Sequence, residues 1–155
     1  MSRVQLALNV DDLDTAVTFY SQLFSAQPAK RRPGYANFAL EDPALKLVLI
    51  ENPGQGGSLN HLGVEVSSTD EVAAATRRLA EQGLPVAVEK GTTCCYAVQD
   101  KVWATAPGGE KWEVCTVLAD AGAELEGQTT TEDGSIPAAA TSAARAGASG
   151  ACCTS

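Results

Sequence analysis

The sequence predicts an α+β fold of two tandem βαβββ modules, with a cleft between them and a disordered C-terminal tail. Residues 4–10 and 60–66 share one alternating pattern at an offset of 56 positions, and a helical pattern follows each of them. Strand patterns return after each helix, so the same unit occurs twice. Composition then changes near Leu118. We therefore expect a folded domain over residues 2–118 and a tail over residues 119–155.

The first module begins with residues 4–10 (VQLALNV), where large apolar side chains occupy every second position, as in a half-buried strand. Leu13, Val17, Tyr20 and Phe24 then recur at helical spacing and predict an amphipathic helix. Three strands are predicted after it, a weaker one over residues 26–30 and two clearer ones over residues 35–40 and 45–50.

The second module repeats this order from residues 60–66 (NHLGVEV). Its helix carries Val72, Thr76 and Leu79 on one face. Ser68 and Glu71 form a predicted capping box at its start, and Gly83 a predicted stop. Strands are predicted over residues 86–89, over residues 96–99 with an extension toward 105, and over residues 111–117.

Charge and composition exclude several classes of function. The chain has 11 Lys and Arg against 19 Asp and Glu, a formal charge of −8, which repels polyanions and argues against a nucleic-acid partner. No signal-peptide core and no apolar stretch long enough for a membrane span are present. We therefore expect a cytoplasmic protein without a membrane partner. Five cysteines cannot all pair within the chain, and adjacent cysteines are poorly placed for cross-links, so reduced thiols are expected.

The segment after Leu118 is rich in Ala, Gly, Ser and Thr and has too few large apolar residues to offset the entropy of ordering. It carries much of the negative charge. Cys152 and Cys153 form a second adjacent pair near its end. They could capture or deliver soft ions, and chance in a low-complexity segment explains them equally well.

Polar side chains on the first strand of each module predict a metal-binding cleft. The strand face opposite the apolar one carries Gln5 in the first module and His61 at the equivalent position of the second. Alternation on the last strand gives Glu113 access to the same cleft. Gln5, His61 and Glu113 are therefore the candidate metal ligands. Two alternatives stay open, a hydrogen-bonded structural role for His61 and a salt bridge for Glu113.

Adjacent cysteines at 94 and 95, in the segment GTTCCY of residues 91–96, are the second chemical signal. Neighbours in a regular strand point to opposite faces, so we expect both in a loop if they serve one ligand. Two thiolates at close range chelate thiophilic metals or metalloids such as trivalent arsenic or cadmium. The alternative is that one of them is simply a buried small side chain. Cys115 is predicted to be a core residue.

Four segments carry a resemblance to a known family: RVQLALNV (3–10), LNHLGVEV (59–66), GTTCC (91–95) and GEKWEV (109–114). Together they resemble the vicinal oxygen chelate superfamily of glyoxalases and extradiol dioxygenases. Within it they look most like the branch of organoarsenical carbon–arsenic lyases and cadmium-induced proteins. The resemblance spans nearly all of residues 2–118, excludes the tail, and implies a curved mixed sheet around the metal-binding cleft.

This resemblance implies an iron(II)- and dioxygen-dependent enzyme of arsenic resistance that degrades trivalent organoarsenicals, such as methylarsenite or reduced aromatic arsenicals, to arsenite. Carried over by position, Gln5, His61 and Glu113 would hold the iron and Cys94 and Cys95 would bind the arsenic. Extradiol dioxygenases of the superfamily use two histidines and a carboxylate, whereas here Gln5 takes one histidine's place. An amide oxygen is the weaker ligand, so we expect loose binding of iron.

Two other functions remain as alternatives. A non-catalytic cadmium- or arsenite-binding protein would need the thiols but not the matched cleft residues. A glyoxalase would need a fourth ligand from the first module, for which Glu51 is the nearest candidate, and would leave the cysteine pair without a role. The sequence leaves open whether the chain forms a homodimer through its sheets.

Overall fold

A computed structural model describes residues 2–121 of the chain and confirms the two βαβββ modules. The first comprises β1 (Arg3–Val10), α1 (Leu13–Phe24), β2 (Lys30–Arg32), β3 (Tyr35–Leu40) and β4 (Leu45–Glu51). The second comprises β5 (Leu59–Glu65), α2 (Thr69–Glu81), β6 (Val86–Cys94), β7 (Ala97–Thr105) and β8 (Lys111–Asp120). The predicted tail lies almost wholly outside the described residues.

One eight-stranded mixed sheet joins the modules in the order β2-β3-β4-β1-β5-β8-β7-β6. The first strands of the two modules, β1 and β5, pair antiparallel at its centre, and each also pairs in parallel with the last strand of its own module, β4 or β8. The sheet curls into a half-barrel, as the resemblance implied. The polar faces of β1, β5 and β8 therefore line its concave side.

The helices cover the convex side of the sheet. Leu13 and Val17 of α1 pack with Phe38, Leu47 and Leu49 in the larger core cluster, with the apolar face of β1 against it. Val72 and Ala75 of α2 pack on Val102 of β7 in a second cluster. This confirms that the apolar face of β1 points toward its helix. In the part of the chain that the structure describes, neither helix has the length and apolar content that a membrane span requires.

Capping explains where both helices begin. The side chain of Asp12 accepts a hydrogen bond from the amide of Thr15, 2.7 Å away, and the hydroxyl of Ser68 accepts one from the amide of Glu71 at 3.3 Å. The predicted capping box is correct on the serine side. The return bond differs. A capping box would have the Glu71 carboxylate accept from the amide of Ser68, but it accepts from the amide of Ser67. Gly83 follows α2 with φ +76°, as expected of a stop.

Strand boundaries differ from the prediction in three places, one of which is the end of β8, at Asp120 and not at residue 117. The weak strand expected over residues 26–30 lies at Lys30–Arg32, because Pro28 has no amide hydrogen and interrupts ladder pairing. The strand expected to end at residue 89 continues to Cys94. A β-bulge between Glu89 and Thr92, with Gly91 at φ +57°, allows this continuation. Sequence alternation is broken at the bulge, which hid the second half of β6.

Candidate metal centre and thiol pair

The three predicted ligands meet on the concave side of the sheet. Gln5 lies on β1, His61 on β5 and Glu113 on β8, and all three are at least 95% buried. The Gln5 amide nitrogen donates to Glu113 Oε1 at 2.5 Å and lies 3.1 Å from His61 Nε2. His61 Nε2 is 3.4 Å from Glu113 Oε1. Alternation along three adjacent strands is what brings these side chains together.

A chain of hydrogen bonds orients the imidazole of His61. Its Nδ1 lies 2.7 Å from Asn60 Oδ1, and since that oxygen only accepts, Nδ1 carries the proton. The Asn60 amide donates to Asn9 Oδ1 at 3.0 Å, the Asn9 amide donates to Ser58 Oγ at 2.9 Å, and Ser58 donates to the carbonyl of Gln55 at 2.7 Å. His61 Nε2 therefore turns its lone pair toward Gln5 and Glu113, as in a metal-binding histidine.

Gly63 makes room for this cluster. A Cβ at this position would lie 2.9 Å from Glu113 Cγ, 3.2 Å from the Glu113 carbonyl oxygen and 3.4 Å from Gln5 Cβ. Gly63 pairs with Gln5 on one side and with Glu113 on the other. Any larger residue would therefore push two of the candidate ligands apart.

Lys101 is a further member of this buried cluster that the sequence analysis missed. It lies on β7 and is 2% exposed. Its Nζ lies 3.1 Å from Glu113 Oε2, so the two side chains form an ion pair. Burial by itself raises the pKa of Glu113, but the neighbouring His61 and the charge of Lys101 outweigh it and hold that pKa below its usual range. Glu113 is therefore an anion. Gln99, Lys101 and Trp103 alternate along β7, and this pattern could have revealed the inward face.

The predicted loop position of the cysteines is only partly correct. Cys94 is the last residue of β6, whereas Cys95 and Tyr96 form the two-residue turn into β7 with φ +53° and +61°. Positive φ at both central positions is typical of a type I′ hairpin turn, where Asn-Gly is usual. For a residue with a side chain, this left-handed backbone conformation costs roughly 1–2 kcal/mol per residue. The turn overrides strand alternation and brings Cys94 Sγ and Cys95 Sγ within 3.3 Å of each other.

The turn is anchored on the first module. The Tyr96 hydroxyl donates to the Pro33 carbonyl at 2.9 Å, and Lys30 Nζ donates to the Tyr96 carbonyl and pairs with Asp120 Oδ1 at 3.0 Å. Cys95 packs against the cluster of Ala7, Tyr35, Val48 and Ile50 on the concave side of that module. The hairpin of the second module thus reaches across the open side of the half-barrel.

Both groups of side chains line one inner cavity with a volume of about 10 Å³, which is room for about one water molecule. Its lining includes both thiols, all three candidate ligands, and six further residues: Tyr35, Lys46, Val48, Gln99, Lys101 and Trp103. Trp103 makes an edge-to-face contact with His61, with ring centroids 5.3 Å apart. The thiol pair and the three candidate ligands therefore share one small chamber.

Other predicted residues lie elsewhere. Glu51, the fourth ligand that a glyoxalase would need, is exposed at the end of β4 and lines a shallow surface depression. Cys115 is fully buried, and burial raises the pKa of its thiol to about 12. It is a core residue, as predicted. Cys152 and Cys153 lie outside the described residues.

The donor set fits a metal ion. Within residues 2–121, no group of three or more His, Cys, Asp or Glu could hold one; here the Gln5 amide is the third donor beside an imidazole and a carboxylate. His61 Nε2 and Glu113 Oε1 lie 3.4 Å apart and could bind one ion together, with the Gln5 amide next to both. Glu113 Oε1 faces Gln5 and His61, while its Oε2 is paired with Lys101. The Gln5 amide would have to turn to present its oxygen.

The sequence profile of the Glyoxalase/Bleomycin resistance protein/Dioxygenase superfamily matches residues 3–114. The chain is 72% identical over 120 residues to the cadmium-induced protein CadI of Mycobacterium tuberculosis, covering 77% of this chain and 79% of that protein. It is 61% identical over 122 residues to a trivalent organoarsenical cleaving enzyme of Thermomonospora curvata, covering 78% of this chain and 81% of that protein.

Solved structures confirm the fold. A variant of homoprotocatechuate 2,3-dioxygenase from B. fuscum has a TM-score of 0.56 at 18% identity, over 75% of this chain and 32% of that one. The Mn(II)-bound glyoxalase of Novosphingobium aromaticivorans has a TM-score of 0.55 at 19% identity, over 77% of this chain and 41% of that one. At such identity the likeness concerns the fold alone.

Proposed function

The chain belongs to the Glyoxalase/Bleomycin resistance protein/Dioxygenase superfamily, and from this membership we propose that it is an iron(II)- and dioxygen-dependent lyase that cleaves the carbon–arsenic bond of trivalent organoarsenicals and releases arsenite. A relative 61% identical to it is named as an organoarsenical cleaving enzyme. The observation that carries the proposal is the shared inner cavity, in which a thiol pair faces three candidate metal ligands.

Cys94 and Cys95 would hold the arsenic. An organic arsenous acid has one carbon and two hydroxyl groups on arsenic, so two thiols can replace the hydroxyls and release two molecules of water. Sulfur atoms 3.3 Å apart are already close enough to bind one arsenic atom, and their softness suits that partner. The third position on arsenic keeps its carbon, which can then face the opposite wall of the cavity.

Gln5, His61 and Glu113 would hold the metal on that opposite wall. Iron(II), when bound, supplies the redox chemistry with dioxygen that breaks the carbon–arsenic bond. The protein's part is positional and electrostatic. Asn60 keeps His61 Nε2 unprotonated and pointed inward, and Lys101 keeps Glu113 ionised. The small cavity excludes bulk water from the reacting carbon.

A purely sequestering protein is the second candidate, since a relative 72% identical is named as cadmium-induced. Such a protein needs only the thiols. It has no use for a glutamine, a histidine and a carboxylate buried together with a lysine ion pair, an arrangement whose desolvation is costly. The buried cluster therefore favours the enzyme.

The first experiment is anaerobic loading with iron(II), followed by air and methylarsenite, with arsenite quantified by chromatography and mass spectrometry. We expect arsenite only when iron and oxygen are both present. Tight arsenical binding without arsenite release, in protein shown to contain iron, would move the assignment to sequestration.

Two variants separate the two halves of the cavity. His61→Ala should abolish turnover and keep methylarsenite binding, because the thiols are untouched. Cys95→Ser should lose arsenical binding by at least tenfold and keep iron binding. Calorimetric titrations with each ligand measure both effects. If His61→Ala loses arsenical binding while its circular dichroism is unchanged, the proposed division of roles is wrong.

A further inference from the structure

The turn that carries the thiols has a strained backbone and needs contacts that hold it. Cys95 and Tyr96 have φ of +53° and +61°, a region that residues other than glycine rarely adopt. Such strain persists only where the surrounding structure fixes it. Cys94 immediately precedes the turn and Cys95 is part of it, so any relaxation would change the 3.3 Å separation of the two sulfurs.

The contacts on the outer side of the turn act on Tyr96. Its hydroxyl donates to the Pro33 carbonyl, and its own carbonyl accepts from Lys30 Nζ. The amide of Ala121 donates to the same carbonyl at 3.0 Å. These bonds hold the second residue of the turn, and none of them acts on Cys94 at the other end.

A buried glutamine holds the Cys94 end from inside the cavity. Gln99 lies on β7, is 7% exposed, and lines the inner cavity together with both thiols. Its side-chain Nε2 donates to the carbonyl oxygen of Cys94 at 3.2 Å. Burying an amide is costly unless it is hydrogen-bonded. The bond therefore fixes the Gln99 side chain and the Cys94 backbone to each other.

This bond crosses the hairpin diagonally. Cys94 pairs with Ala97 at the turn, whereas Gln99 pairs with Thr92 farther along β6. The Gln99 amide thus reaches from β7 across to β6 and two positions toward the turn. It braces the last pair of the hairpin, next to the residues with positive φ.

We propose that Gln99 is a positioning residue for the thiol pair, whose bond to the Cys94 carbonyl keeps both sulfurs directed at one arsenic atom. The inference rests on the proposed function, because it takes Cys94 and Cys95 as the arsenic ligands. After one sulfur has bound, the second binds within the same molecule, and its affinity depends on how well the backbone holds it in place. Gln99 therefore strengthens binding by two thiols and leaves binding by one thiol unchanged.

Two arsenicals separate these modes of binding. Methylarsenite carries two hydroxyl groups on arsenic, so two thiols replace them and two molecules of water are released. Dimethylarsinous acid carries one hydroxyl group, so one thiol replaces it and one water is released. Both are titrated calorimetrically into the full, reduced chain under nitrogen. Every chain carries Cys152→Ser and Cys153→Ser, because that second adjacent pair would also bind methylarsenite.

Gln99→Met removes the donor and keeps a side chain of similar length. We expect methylarsenite to bind about three- to tenfold more weakly, the loss typical of one neutral hydrogen bond, and dimethylarsinous acid to bind as before. Gln22→Met makes the same change at an exposed position on α1. It is the matched control and should alter neither affinity. If Gln99→Met does not fold, Gln99→Ala replaces it with the same expectation.

A loss of methylarsenite affinity alone supports the positioning role. Unchanged methylarsenite binding overturns it, and so does an equal loss of both probes, since a general disturbance of the cavity would weaken both. When the chain with Gln99 intact prefers methylarsenite to dimethylarsinous acid, binding by two thiols stands on its own, and a negative result with Gln99→Met overturns this inference alone. Absence of that preference overturns the thiol pair as the arsenic site, and with it both the proposed function and this inference.

Discussion

The protonation of His61 and the charge of Glu113 each depend on one neighbouring side chain. The neutral imidazole of His61 can bind a metal through Nε2 when its proton is on Nδ1. Nδ1 donates that proton in a hydrogen bond to Asn60 Oδ1, 2.7 Å away. Glu113 stays ionised while almost fully buried because Lys101 lies beside it. Asn60 and Lys101 thus support two of the candidate ligands, His61 and Glu113.

Replacing Asn60 should lower the affinity for the metal more than it lowers the stability of the fold. In Asn60→Ala the imidazole loses its orienting acceptor, and we expect iron(II) affinity to fall about 10- to 100-fold. Competition with a chromogenic chelator measures this. Asn60→Asp keeps an acceptor and serves as the control. Equal affinity of the alanine variant and the unaltered protein would show that the hydrogen bond has no orienting role.

Replacing Lys101 should destabilise the fold through Glu113. In Lys101→Met the carboxylate stays buried without its counter-charge, at a cost of roughly 3–5 kcal/mol in the free energy of unfolding. Adding Glu113→Gln removes the uncompensated charge, so the double variant should recover much of the stability. Urea unfolding provides both values. If the double variant were less stable than Lys101→Met, the lost ion pair would not be the cause of the destabilisation.

Among the elements, the β6–β7 hairpin determines where the thiols lie. Gly91 sits in the β6 bulge at φ +57°, and its amide donates to Asp100 Oδ1 at 2.8 Å. The Asp100 carboxylate also accepts from Thr69 at the start of α2. The amide of Gly91 and the hydroxyl of Thr69 both lower the pKa of Asp100, so it accepts these bonds as an anion. The bulge thereby ties the cysteine hairpin to the helix behind it.

Substitution of Gly91 tests the bulge. No atom lies within 4 Å of a Cβ built there, so Gly91→Ala introduces backbone strain alone, roughly 1–2 kcal/mol in the left-handed region. Gly91→Asn should lose less, because asparagine tolerates that region better. Chemical denaturation ranks the two variants. If Gly91→Ala were as stable as the unaltered protein, the bulge would accommodate alanine without backbone strain.

Across the whole sheet, stability should decrease from the centre to the edges. β1 and β5 pair with strands on both sides and carry Gln5 and His61, while β2 is a three-residue edge strand. Central strands open only with most of the fold, whereas edge strands open locally. The two candidate ligands on β1 and β5 therefore lie on the most rigid part of the molecule.

Hydrogen exchange measured by mass spectrometry checks this gradient. We expect the slowest amide exchange in β1, β5 and β8, and the fastest within the sheet in β2. Peptides covering the β6–β7 turn should slow down when methylarsenite is added, because both thiols then share one ligand. Protection of β2 equal to that of β1 would contradict the gradient.

Local pattern was enough to predict the repeated module, both helices and the inward faces that carry Gln5, His61 and Glu113. Period-two alternation determines which face a strand residue occupies, and this information lies in neighbouring residues. The bulge in β6 and the pairing of Lys101 with Glu113 were not predictable in this way. Both depend on contacts between strands, β6 with β7 for the bulge and β7 with β8 for the pair of Lys101 and Glu113. Strand order and curvature bring the thiols close to the candidate metal ligands, and neither is encoded within any single stretch of the chain.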